Sequence, residues 1–284
     1  MKLRPPTISL ALTIHDRDSV TLDRVKAAIE QNPVDQIVVA LDRPVSDYKP
    51  WFKGATIVEL DGPPGWRCSA AAWNAAFSEV TSELVVCISS DVVMEAGCTT
   101  RIAKRLAAYP SVIYGKVIEE DPSVGGQLAK GLTRKVLCSS REPRPLGFIM
   151  GLPMWAVRAT QGYDEGLMAG IWYEDGDFTQ RLWQEGLPFV FDDFVRGTHI
   201  SHPRPFLDTK EGIRLHNVNM IYMTRKWGCV DPFQRNQANI QYVNSTDAPD
   251  EGILYMLQSM HQEIGGLTIG GKLANGVATL DVVR

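Results

Sequence analysis

No apolar run in the 284 residues approaches the roughly 18 that a helix needs to span a bilayer, so no integral membrane segment is predicted. The opening residues 1–6 (MKLRPP) lead straight into a strand-like run without the apolar core of a secretory signal. An excess of positive charge is also missing. Lys and Arg number 29 against 33 Asp and Glu, a formal net charge of −4, so the chain as a whole is not built to coat a phosphate backbone. Metal-binding cysteine pairs are absent too. Cys68, Cys87, Cys98, Cys138 and Cys229 are scattered with no CxxC spacing, which excludes a zinc site of that kind. Their odd number, with no signal segment, fits a reducing, cytoplasmic setting, and Cys87 sits in an apolar run as a buried thiol. There is no internal repeat. What remains is ordinary globular material, 44% hydrophobic and 22% charged, long enough for one large domain with an appendage.

The first half of the chain alternates short apolar runs with helix-prone ones. Residues 7–14 (TISLALTI) read as a buried strand ending at His15-Asp16-Arg17. Residues 20–30 carry Leu22, Val25 and Ile29 at helical spacing. Strands are expected at 37–41, ending in Asp42, at 56–60, at 84–88, ending in Ser89-Ser90-Asp91, and at 112–118. Helices are expected at 68–79 and 99–108. Alternation of this kind predicts an α/β fold with a mostly parallel sheet covered by helices on both faces. Ligands of such sheets bind beyond the carboxyl ends of the strands. Asp is a good turn residue anywhere, but Asp16, Asp42 and Asp91 each end a strand and so point to one crevice.

The second half is less regular. Residues 119–145, with a basic patch at Lys130, Arg134 and Lys135, read as an excursion over the sheet. Residues 146–157 are apolar, 162–165 form a turn, and a helix is expected over about 178–186 after the acids Glu174, Asp175 and Asp177. A short strand at 189–191 leads to His199 and His202, and a long helix spans 209–227. Residues 229–284 change character, being polar to 250, helical near 252–264 and then Gly-rich. The expected division is 1–228 as a catalytic domain and 229–284 as a small C-terminal extension serving oligomerisation or acceptor binding, which leaves a homodimer open.

Taken in order, these segments resemble family 2 glycosyltransferases of the GT-A fold over roughly residues 6–228. TISLALTI resembles the family's opening strand. QIVVALD, ending at Asp42, resembles the second strand, whose terminal acid faces the nucleotide base. GWRCSAAAWN, ending at Asn74, is similar to the stretch whose Asn-bearing helix packs under the donor. CISSDVVMEAG (87–97) is similar to the DXD segment, with Ser89 replacing its first acid. GYDE (162–165) and YEDGDFTQRL (173–182) resemble the acceptor-side turn and the acidic start of the catalytic helix. HISHP (199–203) resembles the late histidine segment, and NMIYMTRKWG (219–228) the helix end that closes the domain.

The resemblance implies transfer of a sugar from a UDP- or GDP-linked donor to an acceptor hydroxyl, with inversion. The leaving diphosphate develops charge that a cation or fixed positive groups must stabilise. Asp91 is a suitable oxygen ligand, Ser89 a poorer one, and His199 or His202 would add nitrogen, which Mn²⁺ tolerates better than Mg²⁺. A Mn²⁺-preferring site, weak without donor, is therefore expected. The alternative is metal-free, with Arg67 or Arg204 meeting the diphosphate. Asp175, beside Glu174, is the expected base, although acids at a helix start also complement its dipole for roughly 0.3–1 kcal/mol. Asp42, Asp16 and Arg67 are candidates for nucleotide contact, and Asp164, Glu165 and Trp172 for acceptor or sugar contact. Of the other tryptophans, Trp66, Trp73 and Trp155 fit a core as well as a site. The acceptor class stays open among protein, nucleoside or nucleic acid, and glycan. Two other readings are a nucleotidyltransferase, which usually has a Gly-rich basic loop where HDRDS stands, and a catalytically weak binding relative.

Overall fold

The computed structural model describes residues 4–15, 19–42, 52–61, 68–124, 135–202, 209–232, 243–244, 268–274 and 277–283. In chain order the elements are β1 (Ile8–Ile14), α1 (Ser19–Glu30), β2 (Gln36–Leu41), β3 (Thr56–Glu59), α2 (Ala70–Glu79), β4 (Leu84–Ser89), β5 (Val92–Met94), α3 (Cys98–Ala108), β6 (Val112–Glu119), β7 (Val136–Cys138), β8 (Ile149–Pro153) and α4 (Met154–Ala159). Then come a 3₁₀ turn (Glu165–Ala169), α5 (Glu174–Gln184), β9 (Phe189–His199), α6 (Lys210–Trp227), β10 (Val243–Asn244), β11 (Thr268–Ala274) and β12 (Val277–Val283).

The main sheet runs β10-β9-β6-β8-β4-β1-β2-β3, with β5 added on β9 and β7 on β6. Strands β4, β1, β2 and β3 are mutually parallel, as are β6, β9 and β10; β8 runs antiparallel between β4 and β6. The central strands are apolar on both sides because both faces are covered. Leu10, Leu12, Val39, Leu41, Val86 and Ile88 pack towards α1 and α3, while Ala11, Val38, Ala40, Val85 and Cys87 face α2, α4 and α5. All five cysteines are free.

Two elements differ from the sequence expectation. β9 extends over 11 residues instead of stopping at Phe191. The Asp192-Asp193 pair that looks like a strand end is absorbed: Arg101 donates to the buried Asp192 carboxylate at 2.8 Å, Arg105 does so as well, and the backbone N–H of Phe194 also donates to it. α5 begins at Glu174 rather than near 178, so all three acids lie in its first turn. Asp177 has a structural role there. It is fully buried, accepting from Arg181 and from the Trp227 indole, with the Lys226 ammonium 2.6 Å away.

Within residues 229–284, β10 joins the main sheet along β9, and β11 and β12 form a separate antiparallel hairpin. The helix expected near 252–264 and the patch residues Lys130 and Arg134 lie outside the described residues. Among the described residues, no helix is long and apolar enough to cross a membrane.

Candidate active site

β1 sits at the switch of the sheet: β2 and β3 continue to one side of it and β4 to the other. Loops leaving the carboxyl ends of β1 and β4 therefore diverge and leave a crevice. A cavity of about 270 Å³ opens there. Thr13 and His15 reach it from β1, Asp42 from the end of β2, and Ser89, Ser90 and Asp91 from the end of β4. Its far wall comes from Ser69 and Trp73 of the α2 region, Leu146 to Phe148 before β8, and Trp172, Glu174 and Asp175 at the start of α5.

On the β4 side, Asp91 is almost wholly buried. The Ser89 hydroxyl donates to its Oδ1 at 2.5 Å. Its Oδ2 faces His202 Nε2 at 3.1 Å and His199 Nε2 at 3.4 Å. Pairing of β5 with β9 sets Val92 opposite His199, and the Ile200 N–H donates to the Asp91 carbonyl at 2.7 Å. Two distant segments are thus locked in register, and one ligand atom each from Asp91, His199 and His202 lies within 4.8 Å of the others. One carboxylate and two imidazoles make a donor set that suits a divalent transition metal. His199 is fully buried, and its Nδ1 lies 2.9 Å from Glu119 Oε1. Burial opposes a charged ring, but the hydrogen bond and charge of Asp91, followed by those of Glu119, outweigh it and raise the His199 pKa.

The opposite wall holds the acid pair. The Gly147 N–H donates to Asp175 Oδ2 at 3.0 Å, and the Tyr163 hydroxyl approaches Oδ1 at 3.4 Å. Tyr163 is itself packed between Trp73, Phe77 and Phe178. Asp175 keeps some surface on the cleft, yet its carboxyl is closely enclosed by protein. That desolvation, reinforced by the Glu174 charge, raises its pKa to about 7 against the two hydrogen bonds. Glu174 accepts from the Ser69 hydroxyl at 3.1 Å through Oε1, and its buried Oε2 has no hydrogen-bond partner among the described residues.

The turn into α5 is held by force. Trp172 and Tyr173 are consecutive non-glycine residues in the left-handed region, φ 64° and 73°, a conformation that costs of order 1–3 kcal/mol at each. α6 offsets it. The buried Asn219 amide donates to the carbonyls of Leu167 and Trp172, both at 2.9 Å, and His216 Nε2 lies 2.8 Å from the Tyr173 hydroxyl. The result places Trp172, Glu174 and Asp175 together on the cleft.

Of the residues expected from sequence, the cleft gathers Asp42, Ser89, Asp91, Trp172, Glu174 and Asp175, with His199 and His202 against Asp91. Asp164 and Glu165 do not line it. Asp164 caps the 3₁₀ turn and accepts from Tyr222 and Lys226, and Glu165 accepts from Asn74. Trp155 is exposed on α4, away from the cleft lining. Asp16, Trp66, Arg67 and Arg204 lie outside the described residues. Sequence reasoning passed over His15, whose Nδ1 sits 2.8 Å from Asp42 Oδ2, and over Glu119, Ser69, Gly147 and Tyr163. His15 alone carried a signal, as the first polar residue after β1.

No family model matches the chain, and no curated protein does. Among solved structures it is similar to the mannosyltransferase PcManGT from Pyrobaculum calidifontis in complex with GDP-Man and Mn²⁺, at a TM-score of 0.50 and 14% identity, covering 92% of this chain and 71% of that one. It is also similar to GalNAc-T7 with UDP, GalNAc and Mn²⁺, at a TM-score of 0.51 and 16% identity, covering 90% of this chain and 58% of that one. Identity this low speaks to architecture alone: a mixed sheet flanked by helices, with its cleft at the carboxyl ends of β1 and β4, in the GT-A glycosyltransferase fold.

Proposed function

We propose that the chain transfers a sugar from a nucleoside-diphosphate donor, UDP- or GDP-linked, to an acceptor hydroxyl with inversion, in the manner of family 2 glycosyltransferases. The observation that carries this reading is the pairing across one cleft of a carboxylate–imidazole cluster (Asp91, His199, His202) with a proton-accepting acid (Asp175) on the opposite wall. The solved structures of similar fold that hold GDP-Man or UDP together with Mn²⁺ support it.

The cluster fits a divalent cation by its donor atoms. Asp91 Oδ1 is engaged by Ser89, and Oδ2 faces the two Nε2 atoms. Ser89 thus occupies the place of the first acid of a DXD motif by fixing the remaining one. Asp91, His199 and His202 would hold the ion, and the two imidazoles favour Mn²⁺ over Mg²⁺. Bound there, the cation supplies positive charge to the departing diphosphate.

The other steps belong to the chain's own side chains. The Asp42 carboxylate, steadied by His15, accepts hydrogen bonds from the base or ribose. Asp175, with its pKa near 7, is half ionised at neutral pH and takes the proton of the acceptor hydroxyl as it attacks the anomeric carbon. Gly147 and Tyr163 hold that carboxylate in place. Glu174, steadied by Ser69, sets its charge beside Asp175 and keeps that acid basic, and Trp172 offers a ring face to the sugar. Base and leaving group lie on opposite sides of the sugar, which gives inversion. The enzyme acts from solution in the cytoplasm, with residues 229–284 as the extension that contributes to the acceptor side or to a dimer.

A screen of UDP- and GDP-sugars tests the reading by nucleotide release, followed by the mass shift of candidate acceptors and the anomeric configuration of the product. A hexose-sized mass gain with inverted configuration is expected. Binding of UDP and GDP with no release from any donor, or a retained configuration, would overturn it.

A further inference from the structure

We infer that Glu119 is a positioning residue for the cation site: it fixes the His199 imidazole in the tautomer that turns Nε2 towards Asp91 and His202. The inference rests on the cation-dependent reading of the site above and adds a residue 80 positions away in sequence from the histidine it serves.

β6 and β9 pair in parallel with Glu119 opposite His199, and the Glu120 N–H donates to the His199 carbonyl at 3.0 Å. Backbone pairing thus fixes the two side chains side by side. Both are buried, Glu119 at 3% exposure and His199 at 0%. Glu119 Oε1 receives His199 Nδ1 at 2.9 Å and the Ser201 hydroxyl at 2.5 Å. Both ring nitrogens face a carboxylate, but the 2.9 Å contact of Nδ1 with Glu119 is shorter than the 3.4 Å contact of Nε2 with Asp91, so the neutral ring keeps its proton on Nδ1 and leaves the Nε2 lone pair for a metal ion. The Glu119 N–H donates to the Lys135 carbonyl, and Ser201 in turn accepts from the Asp121 N–H, so the carboxylate is itself held. Its Oε2 is buried with no hydrogen-bond partner among the described residues. A buried acid with an unsatisfied oxygen is costly as a packing element alone. Its retention is explained when its negative charge reaches a cation through the imidazole. Where Ser89 has removed one acid from direct coordination, Glu119 adds a carboxylate from the far side of a histidine. Such outer partners orient the ring, make its nitrogen a stronger ligand and commonly change metal affinity by roughly 10–100-fold.

The test is Mn²⁺ binding to the full chain without donor or acceptor, followed through the free-ion electron paramagnetic resonance signal, in wild type, Glu119→Gln and Glu120→Gln. Glu120, exposed and paired with Arg24, controls for a charge change at the adjacent position. Glu119→Gln is expected to weaken Mn²⁺ binding by roughly 10–100-fold, with Glu120→Gln near wild type. Equal affinity in Glu119→Gln and wild type overturns the inference while leaving the cation site standing. The same comparison is made with UDP or GDP present, and no protein-dependent Mn²⁺ binding by wild type in either case overturns the cation site, and this inference with it. Nitrogen-15 NMR of the metal-free wild type at alkaline pH covers the case in which the variant fails to fold. The Nδ1–H tautomer is expected for His199, and an Nε2–H tautomer overturns the inference.

Discussion

Replacing Asp175 by Asn should make the protein more stable and nearly inactive at once. A carboxyl whose native pKa lies above its unfolded value favours the protonated native state, so native stability falls as pH rises from the unfolded pKa towards the native one. For Asp175 that window runs from about 3.8 to about 7. A shift of that size corresponds to about 4 kcal/mol at most once pH exceeds 7. Asn keeps an acceptor for the Gly147 N–H but adds a buried NH₂ that needs a partner, which returns part of the gain. The net expectation is roughly 1–2 kcal/mol of added stability at pH 8, fading to nothing below pH 4. Urea unfolding at the two pH values reads it directly, and nucleotide release measured on the same samples should fall by roughly 10²–10⁴-fold. A variant that is less stable than wild type at pH 8, or that turns over near normally, would refute the assignment of a desolvated base.

In wild type the same carboxyl predicts a kcat/KM that rises with pH through about 7 and then levels as Asp175 ionises; a kcat/KM independent of pH between 6 and 8 would contradict this. A Cβ at Gly147 would meet Asp175 Oδ1 at 2.7 Å, so Gly147→Ala should lower kcat while leaving UDP or GDP affinity intact by calorimetry. Asp91→Asn and His202→Ala should each weaken Mn²⁺ binding by more than the roughly tenfold lower bound for an outer partner, and Mn²⁺ titration checks this. Asp42→Asn should raise the donor KM by roughly 10–100-fold, the value of a hydrogen bond to a charged group, with a smaller change in kcat.

The parts of this site that could be read from sequence are those set by local pattern and a general rule of topology. Asp42 and Asp91 were legible because apolar runs ended on them and parallel strands bring such ends to one edge. Glu174 and Asp175 were legible as acids opening a helix, although the helix begins earlier than its apolar spacing suggests, because Asp177 is buried as a fully paired ion rather than exposed. Pairings made only by strand register were not legible. Glu119 looked like part of an excursion because its partner His199 stands 80 residues on, and β9 looked short because Asp192 gave no local sign of the two arginines on α3 that hold it. Asp164 looked like a site acid for want of the Lys226 and Tyr222 contacts that α6 brings to it. The left-handed pair Trp172-Tyr173 has no sequence signature at all, since it is imposed from α6 by Asn219 and His216.

The central claim is that this cleft cleaves a nucleoside-diphosphate sugar with the help of a divalent cation. Incubating the chain with UDP- and GDP-sugars, and in parallel with UTP or GTP plus a sugar 1-phosphate, in Mn²⁺, in EDTA, and in EDTA with Mn²⁺ restored tests it most directly, with UDP, GDP and pyrophosphate all quantified. Release of UDP or GDP in Mn²⁺, its loss in EDTA and its return on adding Mn²⁺ back are predicted. Undiminished release in EDTA would contradict the metal's part. Pyrophosphate formed from UTP or GTP with a sugar phosphate, in place of nucleoside diphosphate from the sugar donors, would contradict glycosyl transfer itself.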